Sequence, residues 1–232
     1  DPRKTRWDFA GIINYGAQDP AGAGFHWITT LRGSNMKKIF LILSVAVAAF
    51  CVTAVAQNAA FKAFYVYSDD RSTDNHFIPS GWMGDHNDVV MDQSSTETFH
   101  SGLTCIQITY SNKASKNARW AGVYWQEPAN NWGTMENAGF DLTGAKKLTF
   151  WARGKNGGER IEEFKMGGTT GAFGDSDTAG IGPILLTQEW RQYTINLSGK
   201  NLKQIVGGFA WSANLDNNPQ GCTFYLDDIK YE

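Results

Sequence analysis

The sequence predicts an all-β protein: a two-sheet β-sandwich or jelly roll of about eight to ten strands, preceded by a signal-peptide helix. Three observations predict it. Short apolar runs recur between clusters of Gly, Asn and Asp, the rhythm of strands and turns. No long stretch carries apolar residues at helical spacing. The composition is aromatic and glycine-rich, with nine Trp, eight Tyr, fourteen Phe and 25 Gly in 232 residues, and only 19% of them charged.

The first element in chain order is an export signal. Residues 36–57 read MKKIFLILSVAVAAFCVTAVAQ. Lys37 and Lys38 give a cationic start, Ile39 to Val55 an apolar run, and Ala54 and Ala56 the small residues of a cleavage site. A transmembrane anchor is the alternative, but the run is near the lower length limit for spanning. Residues 1–35 lack clear periodicity and read as upstream sequence translated ahead of a start at Met36, with the tail of a preceding domain as the alternative. A single domain is then expected over 57–232, which retains seven of the nine Trp. It would be secreted, periplasmic or on the cell surface, with no membrane span after cleavage, and monomeric.

Eight strands are expected within 57–232: Phe61–Tyr67, Thr104–Tyr110, Trp120–Gln126, Lys147–Arg153, Glu159–Met166, Gln192–Leu197, Gly207–Ser212 and Thr223–Lys230. Period-two alternation assigns their faces. Ile106 and Ile108 share one face, as do Leu148, Phe150 and Ala152. Ala121, Val123 and Trp125 look inward, leaving Trp120, Tyr124 and Gln126 outward; Trp151 and Arg153 also look outward. Ile161 and Phe164 would point oppositely in a regular strand, so a β-bulge is expected at Glu162-Glu163. Cys105 falls on the outer face and Cys222 on the inner one, a placement that argues against a disulfide between them.

The formal net charge of −2 gives no basic footprint for nucleic acid. His76, His86 and His100 show no metal-ligand spacing, and neither G-x-S-x-G nor H-E-x-x-H occurs. Glu127 and Glu136 could form the carboxylate pair of a glycosidase, but solvated loop carboxylates read as well.

Three stretches carry a family resemblance: DLTGAKKLTFWARGKNGGE (Asp141–Glu159), TQEWRQYTINLSG (Thr187–Gly199) and GCTFYLDDIKYE (Gly221–Glu232). In this order they resemble non-catalytic carbohydrate-binding modules of the galactose-binding-like β-jelly-roll type. The resemblance implies a polysaccharide or glycan as ligand, and a glycoside hydrolase, encoded separately, as a possible partner. It also implies a structural Ca²⁺, bound by a final-strand carboxylate with oxygens from an early loop. Asp228 and Asp227 would supply the first, Asp69 and Asp70 the second; two solvated carboxylates are the alternative.

Sugars offer C–H patches for flat rings and hydroxyls for polar side chains. Trp151 with Arg153 and Tyr124 with Gln126 would make such a platform if their strands are neighbours; otherwise Trp151 would pack under a loop. Trp211 could serve as rim or as core. In the loop Glu127–Gly133, Asn131 and Trp132 could cap a cleft edge or simply form a turn. Trp82 could be a second loop aromatic. A jelly-roll lyase or glycosidase, and an adhesive surface module, are the competing readings.

Overall fold

The computed structural model describes residues 60–232. The export signal at 36–56 and the stretch 1–35 lie outside the described residues. Thirteen strands run in the order β1 (Phe64–Tyr67), β2 (Ile78–Gly84), β3 (Val89–Ser95), β4 (Cys105–Tyr110), β5 (Trp120–Gln126), β6 (Lys147–Gly154), β7 (Arg160–Ile161), β8 (Glu163–Gly167), β9 (Thr178–Ile181), β10 (Ile184–Leu185), β11 (Arg191–Asn196), β12 (Gly207–Asn214) and β13 (Cys222–Tyr231). A single 3-10 turn, His86–Asp88, is the only helical element among the described residues. No helix there is long and apolar enough to cross a membrane.

The strands form two main antiparallel sheets. One has six strands in the order β11-β6-β13-β4-β3, with β1 alongside β13. The other has five, β2-β5-β12-β8-β9; β7 and β10 pair separately. Alternation explains why the sheets meet. Phe150 of β6 packs against Phe164 of β8 and Phe209 of β12, with ring centroids 4.7 and 5.2 Å apart. Trp211 of β12 meets Phe224 of β13 at 5.1 Å. These rings are fully buried, and each contributes roughly 1.5–3 kcal/mol by leaving water. The expected two-sheet sandwich is present.

All eight expected strands are found, and β2, β3, β9 and β10 are additional. The inward sets Ile106/Ile108, Ala121/Val123/Trp125 and Leu148/Phe150/Ala152 are all buried. Ile161 and Phe164 are both buried as well. Glu162 and Glu163 both oppose Ser212, the two-against-one arrangement of the expected bulge: Glu163 pairs with it, the Glu162 N–H donates to Ser212 O at 2.8 Å, and the ladder is interrupted there, with β7 ending and β8 beginning. Cys105 and Cys222 are both free. Cys222 joins the core, and Cys105 is buried on the other face, its Sγ 2.6 Å from Thr98 O. Burial pushes both thiols up to about 12.

A β-bulge also occurs in β13. Asp227 pairs with Trp151 and Lys230 with Thr149, so one extra residue is accommodated, and Asp228 takes φ 48°. Phe224 and Leu226 before it and Ile229 and Tyr231 after it all reach the core. The two aspartates therefore both point to the outer face of the six-stranded sheet.

Candidate functional site

The outward face of the six-stranded sheet carries Trp151, Arg153 and Tyr225, and the segment 96–104 lies over it. His100 stacks on Trp151 with centroids 3.7 Å apart and planes 15° apart. Arg153 donates from Nη1 to Thr98 Oγ1 at 3.1 Å and sits 5.6 Å from the Tyr225 ring centroid. Trp151 is thus covered by a loop, one of the two alternatives its parity allowed. Tyr124 and Gln126 lie on β5 of the opposite sheet, so the four residues do not form one platform. That grouping required neighbouring strands, and the topology separates them.

Three carboxylates pin the covering segment. Asp69 Oδ1 accepts the N–H groups of Leu103 and Thr104 at 3.0 and 2.8 Å and the Thr104 hydroxyl at 2.9 Å. Burial works against its charge, but these donors outweigh it and hold the carboxyl below the usual range. Asp227 Oδ2 accepts from the His100 and Ser101 N–H groups at 2.9 and 3.3 Å, and its Oδ1 from the Asp228 N–H at 2.8 Å. Burial pushes the Asp227 carboxyl up to about 6. Asp228 Oδ2 takes the Ser101 hydroxyl at 2.8 Å and lies 2.9 Å from His100 Nδ1.

These residues do not fit a calcium ion. Calcium needs six to eight oxygens converging on it. Here the oxygens of Asp227 and Asp69 Oδ1 face N–H donors, whose positive ends repel a cation. Asp70 lies apart, with Arg71 Nε 3.7 Å from its carboxylate. Among the described residues, no three His, Cys, Asp or Glu side chains are grouped to hold a metal.

The outward face of the five-stranded sheet is open instead. The register aligns Met83, Gly122, Ser212 and Glu163 in one rung and Gly81, Tyr124, Ala210 and Lys165 in the next. The residues between Met83 and Glu163 are small, so the first rung is a valley floor. Gly122 is required there: a Cβ would lie 2.6 Å from Trp211 O and 3.0 Å from Met83 Cε. Trp120 stands on one side, 39% exposed, and Trp132 on the other, 41% exposed. Four residues of strand separate Trp120 from Tyr124, about 13 Å at ~3.3 Å per residue. The groove so formed has a volume of about 450 Å³, with Thr169 and Thr170 at its edge.

Trp132 is held from behind. Asn131 is buried, and its Oδ1 accepts the N–H groups of Gly133, Thr134 and Met135 at 3.0, 3.1 and 3.3 Å. Asn131 therefore organises the loop and is unavailable to a ligand; turn chemistry is the reading that holds. Gln126 is also buried, spanning Asn131 O at 2.8 Å and the Ser80 hydroxyl at 2.9 Å. Tyr124 is 6% exposed: its hydroxyl donates to Gly167 O at 3.0 Å and its ring meets Trp132 edge-on, centroids 5.9 Å apart. It props Trp132 rather than offering its own face. Asp175 ties the glycine-rich segment 168–175 to β12 through the Val206 and Gly207 N–H groups, at 2.6 and 2.9 Å.

Trp211 is 1% exposed and belongs to the core. Trp82 lies in β2, not in a loop, and packs against that core. Of the expected site residues, only Trp132 and Tyr124 line the groove with their side chains. Sequence reasoning left out Trp120, Glu163 and Lys165. The signal for Trp120 was present, since it shares the parity of Tyr124 and Gln126. Burial works against the charge of Lys165, but the Tyr124 hydroxyl, Glu163 and Asp175 hold its pKa above the usual lysine value.

No protein-family model matches the chain. No curated protein matches it significantly. Solved structures do. A family 30 carbohydrate-binding module aligns at 15% identity with TM-score 0.51, over 74% of this chain and 98% of its own. The family 30 carbohydrate-binding module of a cellulosomal cellulase of Clostridium thermocellum aligns at 16% identity with TM-score 0.50, over 74% and 97%. At these identities the likeness is one of fold: the chain has the β-sandwich fold of these modules.

Proposed function

We propose that residues 57–232 form a non-catalytic carbohydrate-binding module that takes a glycan in the groove on the five-stranded sheet. One observation carries this reading: two exposed indoles, Trp120 and Trp132, flank a valley whose floor is cleared by Gly122 and Ser212, with the small Ala210 beside it. A sugar chain laid there would find ring faces for its C–H patches, and the hydroxyls and charges of Ser212, Thr169, Glu163 and Lys165 for its own hydroxyls. The sheet fixes these groups before binding, so little order remains to be imposed. A single carboxylate, Glu163, lines the groove, whereas glycoside hydrolysis generally uses two. The fold likeness to carbohydrate-binding modules supports the same reading.

The pattern at 36–57 supports export, placing the module in the periplasm, on the cell surface or outside the cell. There it would act as a monomer beside a glycoside hydrolase encoded separately. Affinity electrophoresis against a panel of glucans, mannans and xylans tests the reading. The protein should be retarded by at least one of them, and Trp120→Ala and Trp132→Ala should each abolish most of the retardation. Retardation by none, or retardation indifferent to both substitutions, would overturn it.

A further inference from the structure

Two side chains of opposite charge stand in the groove. Glu163 and Lys165 are alternate residues of β8, so both face outward, in the two adjacent rungs that make the valley and its wall. Lys165 Nζ lies 3.9 Å from Glu163 Oε2 and 5.6 Å from the Tyr124 ring centroid. The lysine side chain is 25% exposed and the glutamate side chain 48%. The cation is thus the less exposed of the two, near the Tyr124 ring, with the carboxylate beside it.

We propose that Glu163 sets the charge specificity of the groove, screening Lys165 so that the site takes neutral glycans and refuses those whose sugars carry carboxylates. This rests on the reading of the groove as a sugar site. Without Glu163, Lys165 among the aromatic rings would attract a uronate, because Asp175, the other carboxylate acting on it, is engaged by the Thr169, Val206 and Gly207 N–H groups. A carboxylate beside it cancels that attraction and repels the uronate directly, a selection made by building a clash against the wrong ligand. Glu163 would still accept hydrogen bonds from neutral hydroxyls, which a uronate ring also carries. The discrimination therefore falls on the acidic group alone.

The substitution Glu163→Gln removes the charge and keeps the shape. At 48% exposure the residue is not part of the core, and the thermal midpoint should be unchanged. Binding is measured by isothermal titration to matched pairs: glucan and its C6-oxidised form, mannan and its C6-oxidised form, and xylan and glucuronoxylan. The wild type should bind one neutral member and discriminate against its acidic counterpart. In Glu163→Gln the acidic member should gain about tenfold or more, as expected when a close charge pair is made across an interface. Raising the salt should erode that gain, and the further change Lys165→Gln should remove it.

Three results would overturn the proposal while leaving the sugar site standing: no gain in Glu163→Gln, a gain that survives Lys165→Gln, or a wild type that binds both members of a pair equally. Loss of the underlying reading looks different. No neutral glycan would then bind in a manner dependent on Trp120 and Trp132.

Discussion

The two sheets of the sandwich carry aromatic residues on both outer faces, and the faces have opposite fates. On the six-stranded sheet, the segment 96–104 lies over Trp151, and His100 occupies the indole face that a ligand would need. On the five-stranded sheet, Trp120 and Trp132 remain about two-fifths exposed beside a clear floor. Alternation within a strand makes a residue outward-facing; whether it is available depends on what the rest of the chain lays over it. The cover on the first face is built in, held by Asp69 just after β1 and by Asp227 and Asp228 at the bulge inside β13. The second face is kept open by the absence of side chains at Gly122 and by supports that keep Trp132 upright.

The largest expected effect separates the faces by binding. Trp120→Ala and Trp132→Ala should each weaken affinity for a bound glycan by ~10-fold or more, as for an aromatic hot spot. Trp151→Ala should leave affinity within about twofold, because its ring face is taken by His100. Loss of binding in Trp151→Ala, with intact folding, would reverse the comparison. Titration calorimetry on the three variants decides it.

A smaller effect tests the cover. Asp227→Ala would leave three N–H groups, those of His100, Ser101 and Asp228, without their acceptor. The expected cost is about 2–4 kcal/mol, a fall of roughly 5–10 °C in melting temperature. Trp151 should become accessible as well, seen as increased acrylamide quenching. A destabilised variant whose quenching is unchanged would show that the segment 96–104 is held by packing and not by its carboxylate anchors.

This contrast explains what the sequence made legible. The buried strands announced themselves: Leu148, Phe150 and Ala152 alternate cleanly, and every strand between two neighbours was found. The missed strands β2, β3 and β9 are sheet edges. An edge needs fewer ladder bonds, so β2 tolerates Pro79 and Gly81, and β3 leaves Val90 69% exposed. The site was half legible. Parity placed Trp120, Tyr124 and Trp151 outward correctly, but the cover over Trp151 is the segment 96–104, far away in sequence, and its anchors Asp69 and Asp227 lie 34 and 127 residues from the groups they hold. Gln126 and Asn131 carry the amides that sugars favour, and a buried turn consumes the same donors and acceptors.

Acidity offers a finer probe of the anchors. An aspartate in an unfolded chain titrates near 3.9, and burial raises Asp227 to about 6. The folded protein therefore holds that proton more tightly than the unfolded chain. The resulting stabilisation is fully present below about pH 4 and is lost as pH rises through 6. Asp69 shifts the opposite way, so the whole-protein profile mixes both signs. The informative quantity is the melting temperature of the wild type minus that of Asp227→Asn, which should decrease from pH 4 to pH 7. A difference that rises over that range would mean that the three N–H donors outweigh burial at Asp227.

The smallest expected effect is that of chelation. A calcium ion at the last strand would tie the early loop to β13, and the carboxylates already do that by direct hydrogen bonding. Asp69 reaches Leu103 and Thr104, Asp227 reaches His100 and Ser101, and both act on one covering segment. A metal added there would have to displace N–H donors from Asp227 while paying its own dehydration. Excess EDTA should therefore leave the melting temperature within about 1 °C, since a ligand that binds the folded state appreciably stabilises it by mass action. Added calcium should do no more. A clear fall on chelation, restored by calcium and absent in Asp228→Asn, would show that the anchors of the covered face include an ion. The contrast with the open face would then rest on metal as well as on hydrogen bonds.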